Sequence, residues 1–396
     1  MKKIKVLFVA PDFYPNSTGF ANASVNLVRS ILDHGRDKYS VYVYTPVPLG
    51  QMDEMEGIEV LRDFKRSPLE NKLTTLYFIR KRYLRMKELI EREAIDVIFF
   101  ETNTFPFIQN WALKDYGHKV FVRIHSTADT EVPVFWARKG WRPVTIKLKK
   151  VYEFMQTVHN IVSTSTFYLD FVRHHYMFDN VYTMWNGKNY GILYNTAGID
   201  NINTSITNNC HLLTMGKMSE NGIVQKGMTD LIKAIYILKM SDRLPDDFKL
   251  TIIGTGTKYP DVKGLVKEMD LQNKIDLVEE ATHDDVFKYI EQSRAIVLLS
   301  RYEGQSMFVT ESLAMGKPLV LSDNNGMQGL INNQVNGFLV KTGDYYDAAE
   351  KIHAMLNISQ EKLEAFSKAS LNLYQSKFSS RAVFEQFDEL VSFKIN

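Results

Sequence analysis

Ser300-Arg301-Tyr302-Glu303-Gly304-Gln305-Ser306-Met307-Phe308-Val309-Thr310-Glu311 is the stretch that decides the fold. It follows the apolar run Ala295–Leu299, which reads as a buried strand. A loop then carries one carboxylate, Glu303. A helix expected to start near Met307 carries a second, Glu311, eight positions on. That spacing sets Glu311 about one turn into the helix, where it can face back toward the loop. Free backbone N–H groups at the helix N-terminus between them form a ready anion site. The arrangement would grip a phosphate and hold sugar hydroxyls with charged acceptors beside it. Two ordinary surface glutamates around a strand-to-helix turn fit the same residues, and the stretch alone leaves both readings open.

The same alternation extends on both sides. Strands are expected at His211–Met215, Lys249–Ile253, Lys274–Val278 and Pro318–Leu321, separated by helices over Met228–Met240, Asp261–Met269, Asp284–Gln292 and Met307–Met315. The first half repeats the pattern with strands Ile4–Ala10, Val41–Thr45, Ile95–Phe100, Lys119–Ile124 and Ile161–Thr164. Its helices are Phe20–His34, with Gly35 as the expected C-cap, Leu69–Glu93 and Thr145–His159. An asparagine-rich polar stretch, Gly187–Asn209, interrupts the two series. The expected organisation is an N-terminal domain over 1–190, a linker over 191–209, a C-terminal domain over 210–375, and a last helix over 376–396 that packs back on the first domain. Two successive α/β alternations imply two facing Rossmann-like, doubly wound parallel sheets. Ligands of such sheets bind beyond the C-terminal strand ends, so the expected site is the cleft between the domains.

Composition narrows the class. The 396 residues are 45% hydrophobic and 24% charged, as in ordinary globular proteins. The longest apolar runs fall far short of the roughly 20 residues of a membrane helix. The apolar stretch behind Met1-Lys2-Lys3 stops at Pro11, so no signal peptide is expected. A single cysteine, Cys210, excludes a disulfide framework or thiolate metal cluster and suits a cytoplasmic setting. Net charge is +2 but uneven, with 27 basic against 21 acidic residues in 1–200 and 21 against 25 thereafter. Much of the excess lies in Arg62–Arg92, which holds Arg80, Lys81, Arg82 and Arg85 near Tyr77, Phe78 and Tyr83, and in Arg138–Lys150. Two readings stand: a solvated helix face, or a surface that meets either anionic phospholipid, as a peripheral contact at the inner face of the membrane, or a diphosphate-bearing acceptor. No nucleic-acid module accompanies the charges, so nucleic acid is not an expected partner. Gly254-Thr255-Gly256 opens a dinucleotide fingerprint that fails at Tyr259, and there is no P-loop and no Asp-x-Asp.

Glu303-Gly304, followed by Glu311-Ser312-Leu313-Ala314-Met315-Gly316-Lys317-Pro318, resembles the E-x7-E signature of family 4 retaining glycosyltransferases of GT-B fold. Further matches follow in order along nearly the whole chain. Pro15–Gly19 sits where that family has its glycine-bearing loop. Val122-Arg123-Ile124-His125 resembles the strand ending in its active-site histidine, and Asn186-Gly187 the close of its N-terminal domain. Met215-Gly216-Lys217 with Gln225-Lys226-Gly227 resembles the pair that binds the donor diphosphate. Ile252-Ile253-Gly254-Thr255-Gly256 is similar to the turn under the nucleotide, and Asn336–Val340 to a late strand.

The resemblance implies a retaining, metal-independent transfer of a hexose or N-acetylhexosamine from a nucleotide sugar, UDP rather than GDP, with no cofactor. The acceptor would be a glycan, lipid-linked or protein molecule in cell-surface polysaccharide assembly. It implies catalytic roles for His125, Glu303, Lys217 and Lys226. His125 would accept or donate a hydrogen bond to the donor sugar, and the two lysines would neutralise the leaving diphosphate. Gly19, Gly216, Gly254, Gly256, Gly304, Gln305, Ser306, Met307, Phe308 and Glu311 would bind the donor, Glu311 at the ribose. Four positions depart from the pattern: Lys217 replaces arginine, Gln305-Ser306 replaces Phe-Gly beside the sugar, and Ser126 follows His125. A lysine cannot make a guanidinium's bidentate fork. The rival readings are a nucleotide-sugar epimerase or hydrolase on the same fold, and a catalytically silent partner of another transferase.

Overall fold

The computed structural model describes residues 2–16, 18–48, 55–62, 75–101, 106–125, 157–175, 189–200, 206–324 and 326–395. The chain divides into two units, Met1–Gly198 with Ser380–Asn396, and Ile199–Ser379.

Among the described residues, the first unit has seven short strands: β1 (Ile4–Val9), β2 (Tyr39–Thr45), β3 (Glu59–Arg62), β4 (Val97–Glu101), β5 (Val120–Ile124), β6 (Asn160–Ser163) and β7 (Asn189–Ile192). All pair in parallel, in the order β3-β2-β1-β4-β5-β6-β7. β1 lies inside the sheet, with Val6 opposite Val41 on one side and Val97 on the other. From Val6 to Val9 it is buried on both faces, and that part reads as a continuous apolar run after Lys5.

The pleat sends alternate residues to two cores. Leu7, Val9, Ile98, Phe100 and Val122 pack with Tyr83, Met86, Leu89 and Ile90 of helix α2 (Thr75–Arg92). Val6, Phe8, Phe99 and Phe121 face the other way, toward α1 (Gly19–Gly35) and the C-terminal helix Ser380–Ile395. There Phe99 stacks between Phe8 and Phe121 at centroid distances of 5.3 and 4.7 Å, with Phe387 at 5.4 Å. The C-terminal helix is fixed to α1 and β2 by polar contacts as well. Ser30 Oγ donates to the Ser380 carbonyl (2.5 Å), and Lys38 Nζ and the Tyr39 hydroxyl reach Asp388 at 2.5 and 2.6 Å.

Gly35 is not the C-cap of α1 expected from the sequence. It is the last helical residue, and Arg36 follows in right-handed geometry. Its use is space: a Cβ there would lie 2.4 Å from the Phe384 ring. The stretch from Gly187 also differs from its reading as an interruption, because it contains β7, paired beside β6. The expected helix over Thr145–His159 falls almost wholly outside the described residues, as do Arg138–Lys150 and the first part of Leu69–Glu93.

The second unit has six parallel strands: β8 (His211–Met215), β9 (Lys249–Ile253), β10 (Ile275–Val278), β11 (Ala295–Leu298), β12 (Leu319–Ser322) and β13 (Gly337–Val340), ordered β10-β9-β8-β11-β12-β13. The expected pair of parallel α/β sheets is therefore present. Helix starts follow local chemistry: Thr282 and Asp285 form a capping box, and Ser306, Asp344 and Ser359 cap the helices after them. One core, centred on Leu231, Ile235, Leu250, Ile252, Val297 and Val320, holds this unit.

Candidate active site

In the second unit, the chemistry gathers on loops leaving the C-terminal ends of β8, β9 and β11. Beyond β11 the chain passes through buried Ser300 to Glu303, whose side chain is 9% exposed. Glu303 Oε1 accepts from Ser300 Oγ (2.8 Å) and from the Lys226 ammonium, in an ion pair. Lys226 ends the short helix Glu220–Gln225, and Gly216 lies against its stem: a Cβ at Gly216 would stand 2.6 Å from Lys226 Cγ. The layer continues inward, since a Cβ at Gly254 would meet the Gly216 carbonyl at 2.0 Å. Gly256, at φ +149°, has the Met218 backbone in its place. These glycines allow the loops after β8 and β9 to interlock, with Met218 N–H donating to Thr255 O and Lys258 N–H to Met218 O. Lys217 is exposed.

The Glu303-Gly304 turn is held from below by residues the sequence reading missed. Asn324 donates to the Ser300 carbonyl (2.6 Å), as does Ser322 Oγ, and accepts from Gly326 N–H at 3.1 Å. A Cβ at Gly326 would lie 2.0 and 2.1 Å from the Glu303 and Gly304 carbonyls. The Ser-Asp-Asn-Asn-Gly run after β12 is a turn signal in its own right. It was legible as a turn, although not as the floor of this one. Arg301 turns aside to Asp230 (2.6 Å), and its backbone N–H donates to the Gln225 carbonyl.

The helix Met307–Ala314 is buried along its whole length. Gln305 Nε2 donates to Thr310 Oγ1 (3.1 Å), and Thr310 donates to the Ser306 carbonyl. Met307 and Phe308 bury their side chains, so what their positions can offer a donor is backbone N–H. Glu311 is 3% exposed, and its Oε1 lies 3.1 Å from His283 Nε2. His283, about half exposed at the start of the helix after β10, was not singled out from the sequence. Its hydrogen bond to Glu311 raises it above the ordinary histidine value, against the effect of partial burial. Lys317 is buried and donates to the Glu291 and Ser293 carbonyls, and burial lowers its pKa to about 8.

The first unit places His125 just past β5, 15% exposed, with Nε2 3.0 Å from Glu101 Oε2 at the end of β4. The Phe20 ring lies 4.7 Å from the imidazole, so the N-terminus of α1, where Gly19 stands, and the histidine are neighbours. Thr18 caps α1 and, with Asn16, donates to Asp12, which orders the loop before that helix. Burial pushes the His125 imidazole below its ordinary value, against the pull of Glu101. Burial pushes the Glu101 carboxyl up, but Arg123 and His125 outweigh it and hold it below the usual carboxylate range. Ser126 and Asn186-Gly187 lie outside the described residues.

Two parallel sheets of this order define a protein of the GT-B fold, and solved structures of that fold match the chain from end to end. Sucrose-phosphate synthase from Thermosynechococcus elongatus superposes with a TM-score of 0.78 at 14% identity, covering 99% of each chain. Anabaena HepE in complex with UDP-glucose gives 0.70 at 16% identity, over 98% of this chain and 100% of that one. Within that fold, residues 215–372, all in the second unit, match the family described as "Glycosyl transferases group 1". Sequence relatives agree. An uncharacterized glycosyltransferase of Haemophilus influenzae is 22% identical over 366 residues, 89% of this chain and 91% of its own length. The N-acetylgalactosamine-N,N'-diacetylbacillosaminyl-diphospho-undecaprenol 4-alpha-N-acetylgalactosaminyltransferase of Campylobacter jejuni is 26% identical over 204 residues. That match spans about half of each protein, 51% in both cases.

Proposed function

We propose that the protein is a retaining transferase that moves a hexose or N-acetylhexosamine from a UDP-sugar to a glycan, lipid-linked or protein acceptor in cell-surface glycan assembly. The observation that carries this reading is the Glu303–Lys226 ion pair over a glycine floor, with Glu311 eight positions on in the following helix. Glu311 accepts from the ribose hydroxyls. Lys226 and Lys217 neutralise the leaving diphosphate without a divalent ion, aided by the N–H groups around Met307 and Phe308. Glu303 stays beside Lys226, near the sugar and the phosphate, and His125 contacts the sugar from the first unit, which takes the acceptor. The leaving phosphate assists attack of the acceptor hydroxyl on the same face of the sugar, which retains the anomeric configuration. The UDP-glucose complex of Anabaena HepE and the undecaprenol-linked acceptor in the name of the Campylobacter relative support the choice of donor and acceptor class.

The test is product analysis after incubating the chain with UDP- and GDP-sugars and a membrane lipid extract, with and without EDTA. The expected result is a glycosylated acceptor with retained configuration, formed equally with EDTA present. Release of free sugar with no acceptor product would make the protein a hydrolase. Activity lost to EDTA and restored by Mg²⁺ or Mn²⁺ would remove the role given to the lysines.

A further inference from the structure

Two charged side chains with no exposure, Glu101 and Arg123, lie at the C-terminal end of the first unit's sheet. Such a pair is costly to bury unless its remaining hydrogen-bonding capacity is met. Arg123 meets it, donating to Glu101 Oε2 (3.0 Å), to the Leu193 and Tyr194 carbonyls and to Asn195 Oδ1 (2.9 Å). Glu101 Oε2 then faces a second group, His125 Nε2 at 3.0 Å.

Proton positions follow from this geometry. A carboxylate beside a guanidinium stays ionised and can only accept, so Nε2 must carry the proton. Desolvation holds the mostly buried imidazole below its ordinary value, so at neutral pH and above the ring carries a single N–H. Nδ1 is therefore left with its lone pair outward from the ring, while Phe20 lies against the ring itself.

The geometry points to Glu101 as a positioning residue: anchored by Arg123, it fixes His125 as the Nε2–H tautomer, so that Nδ1 accepts a hydrogen bond from a hydroxyl of the transferred sugar. This rests on the reading of His125 as a sugar contact and narrows it, because the sequence leaves acceptor and donor roles equally open. Glu101→Gln keeps an acceptor oxygen for Arg123 and His125 and sets its NH₂ where Oε1, which has no partner among the described residues, now lies. Glu101→Met keeps the length and removes the acceptor.

Long-range ¹H–¹⁵N correlation spectra of the ¹⁵N-labelled full chain read the tautomer directly, with His125→Gln assigning the signal among nine histidines. Protonated Nε2 and a bare Nδ1 are expected in the wild type. Protonated Nδ1 would overturn the proposal whether or not any variant folds. In transfer assays, Glu101→Gln should keep kcat within about threefold, whereas Glu101→Met should lose about tenfold or more with unchanged UDP affinity. Adding His125→Ala to the Met variant should then cost little further. Equal losses in the Gln and Met variants would reduce Glu101 to a structural ion pair. A wild-type chain that transfers no sugar from any donor would sink the functional reading instead, and the spectra would still decide the tautomer.

Discussion

Two glutamates eight positions apart do different work because their partners differ. Glu303 is already neutralised by Lys226 and braced by Ser300, whereas Glu311 faces a half-exposed histidine. A carboxylate accepting charged hydrogen bonds from ribose contributes on the order of 1.5–3 kcal/mol, so Glu311→Ala should weaken UDP binding roughly 10- to 150-fold by calorimetry. Unchanged affinity would remove Glu311 from the nucleotide site. The His283–Glu311 contact also sets a pH dependence of stability. His283 is raised in the folded state, so its protonated form is the one that folding favours. Its contribution is fully present below the unfolded histidine value, near 6.5, and fades as pH rises through the higher folded value. The urea midpoint of the wild type should therefore exceed that of His283→Ala by more at pH 5.5 than at pH 8.5. A gap that widens with pH would contradict the pairing.

Helix α2 shows how one amphipathic element divides its charges and aromatics. Its inner face buries Tyr83 completely, with the hydroxyl on Asp115 (2.6 Å), so Tyr83 is a core residue and not the interfacial aromatic its neighbours suggest. Arg80 is folded over Tyr83 and Trp111, with its guanidinium carbon 5.2 and 4.8 Å from the ring centroids. The outer face carries exposed Leu76, Tyr77 and Leu84 beside Lys81 and Arg85. Apolar and basic side chains interleaved on one helical face suit an anionic lipid surface, where each cation contributes about 1 kcal/mol and salt screens it. Flotation with anionic vesicles should succeed at low salt and weaken at high salt. The combined variant Tyr77→Ser, Lys81→Ser and Arg85→Ser should float less, with UDP affinity unaltered. No flotation of the wild type at either salt would leave α2 as a plain solvated helix.

The chain leaves its first unit at Gly198 and returns to it at Ser380, so that unit is incomplete without the last residues of the sequence. Val383, Phe387 and Val391 are fully buried there. Phe387→Ala removes a ring packed on Phe8 and Phe99, and a cavity of that kind typically costs about 3–5 kcal/mol. All four tryptophans precede residue 199, which makes their fluorescence a probe of this unit. The tryptophan-detected unfolding midpoint should fall in Phe387→Ala. UDP should raise the stability of the unit that binds it, by an amount set by its concentration relative to Kd. A tryptophan-detected transition indifferent to Phe387 would mean that the C-terminal helix adds little to the first unit.

Periodicity and punctuation in the sequence determined much of the fold. The apolar runs of β1, β8 and β11 and the helical spacing between them follow from local burial patterns. Glu303 and Glu311 stood out by type and spacing, whereas Lys226 and the glycines around it were marked only by resemblance to a family. Local pattern could not assign β7 within a polar stretch, because an edge strand of four residues draws its stability from its neighbour β6. Nor could it assign Glu101, Asn324, Gly326 or His283. Glu101 reads as the last polar residue of a strand until Arg123 and His125 come beside it, 22 and 24 positions later. Asn324 and Gly326 read as a turn until the Glu303 carbonyl lies against them. A hydrogen bond between residues distant in sequence has no local signature, because its partner is supplied only when the strands align. Residue type and spacing set which groups this chain can bring to a site, and the tertiary structure alone decides which of them meet and with what charge.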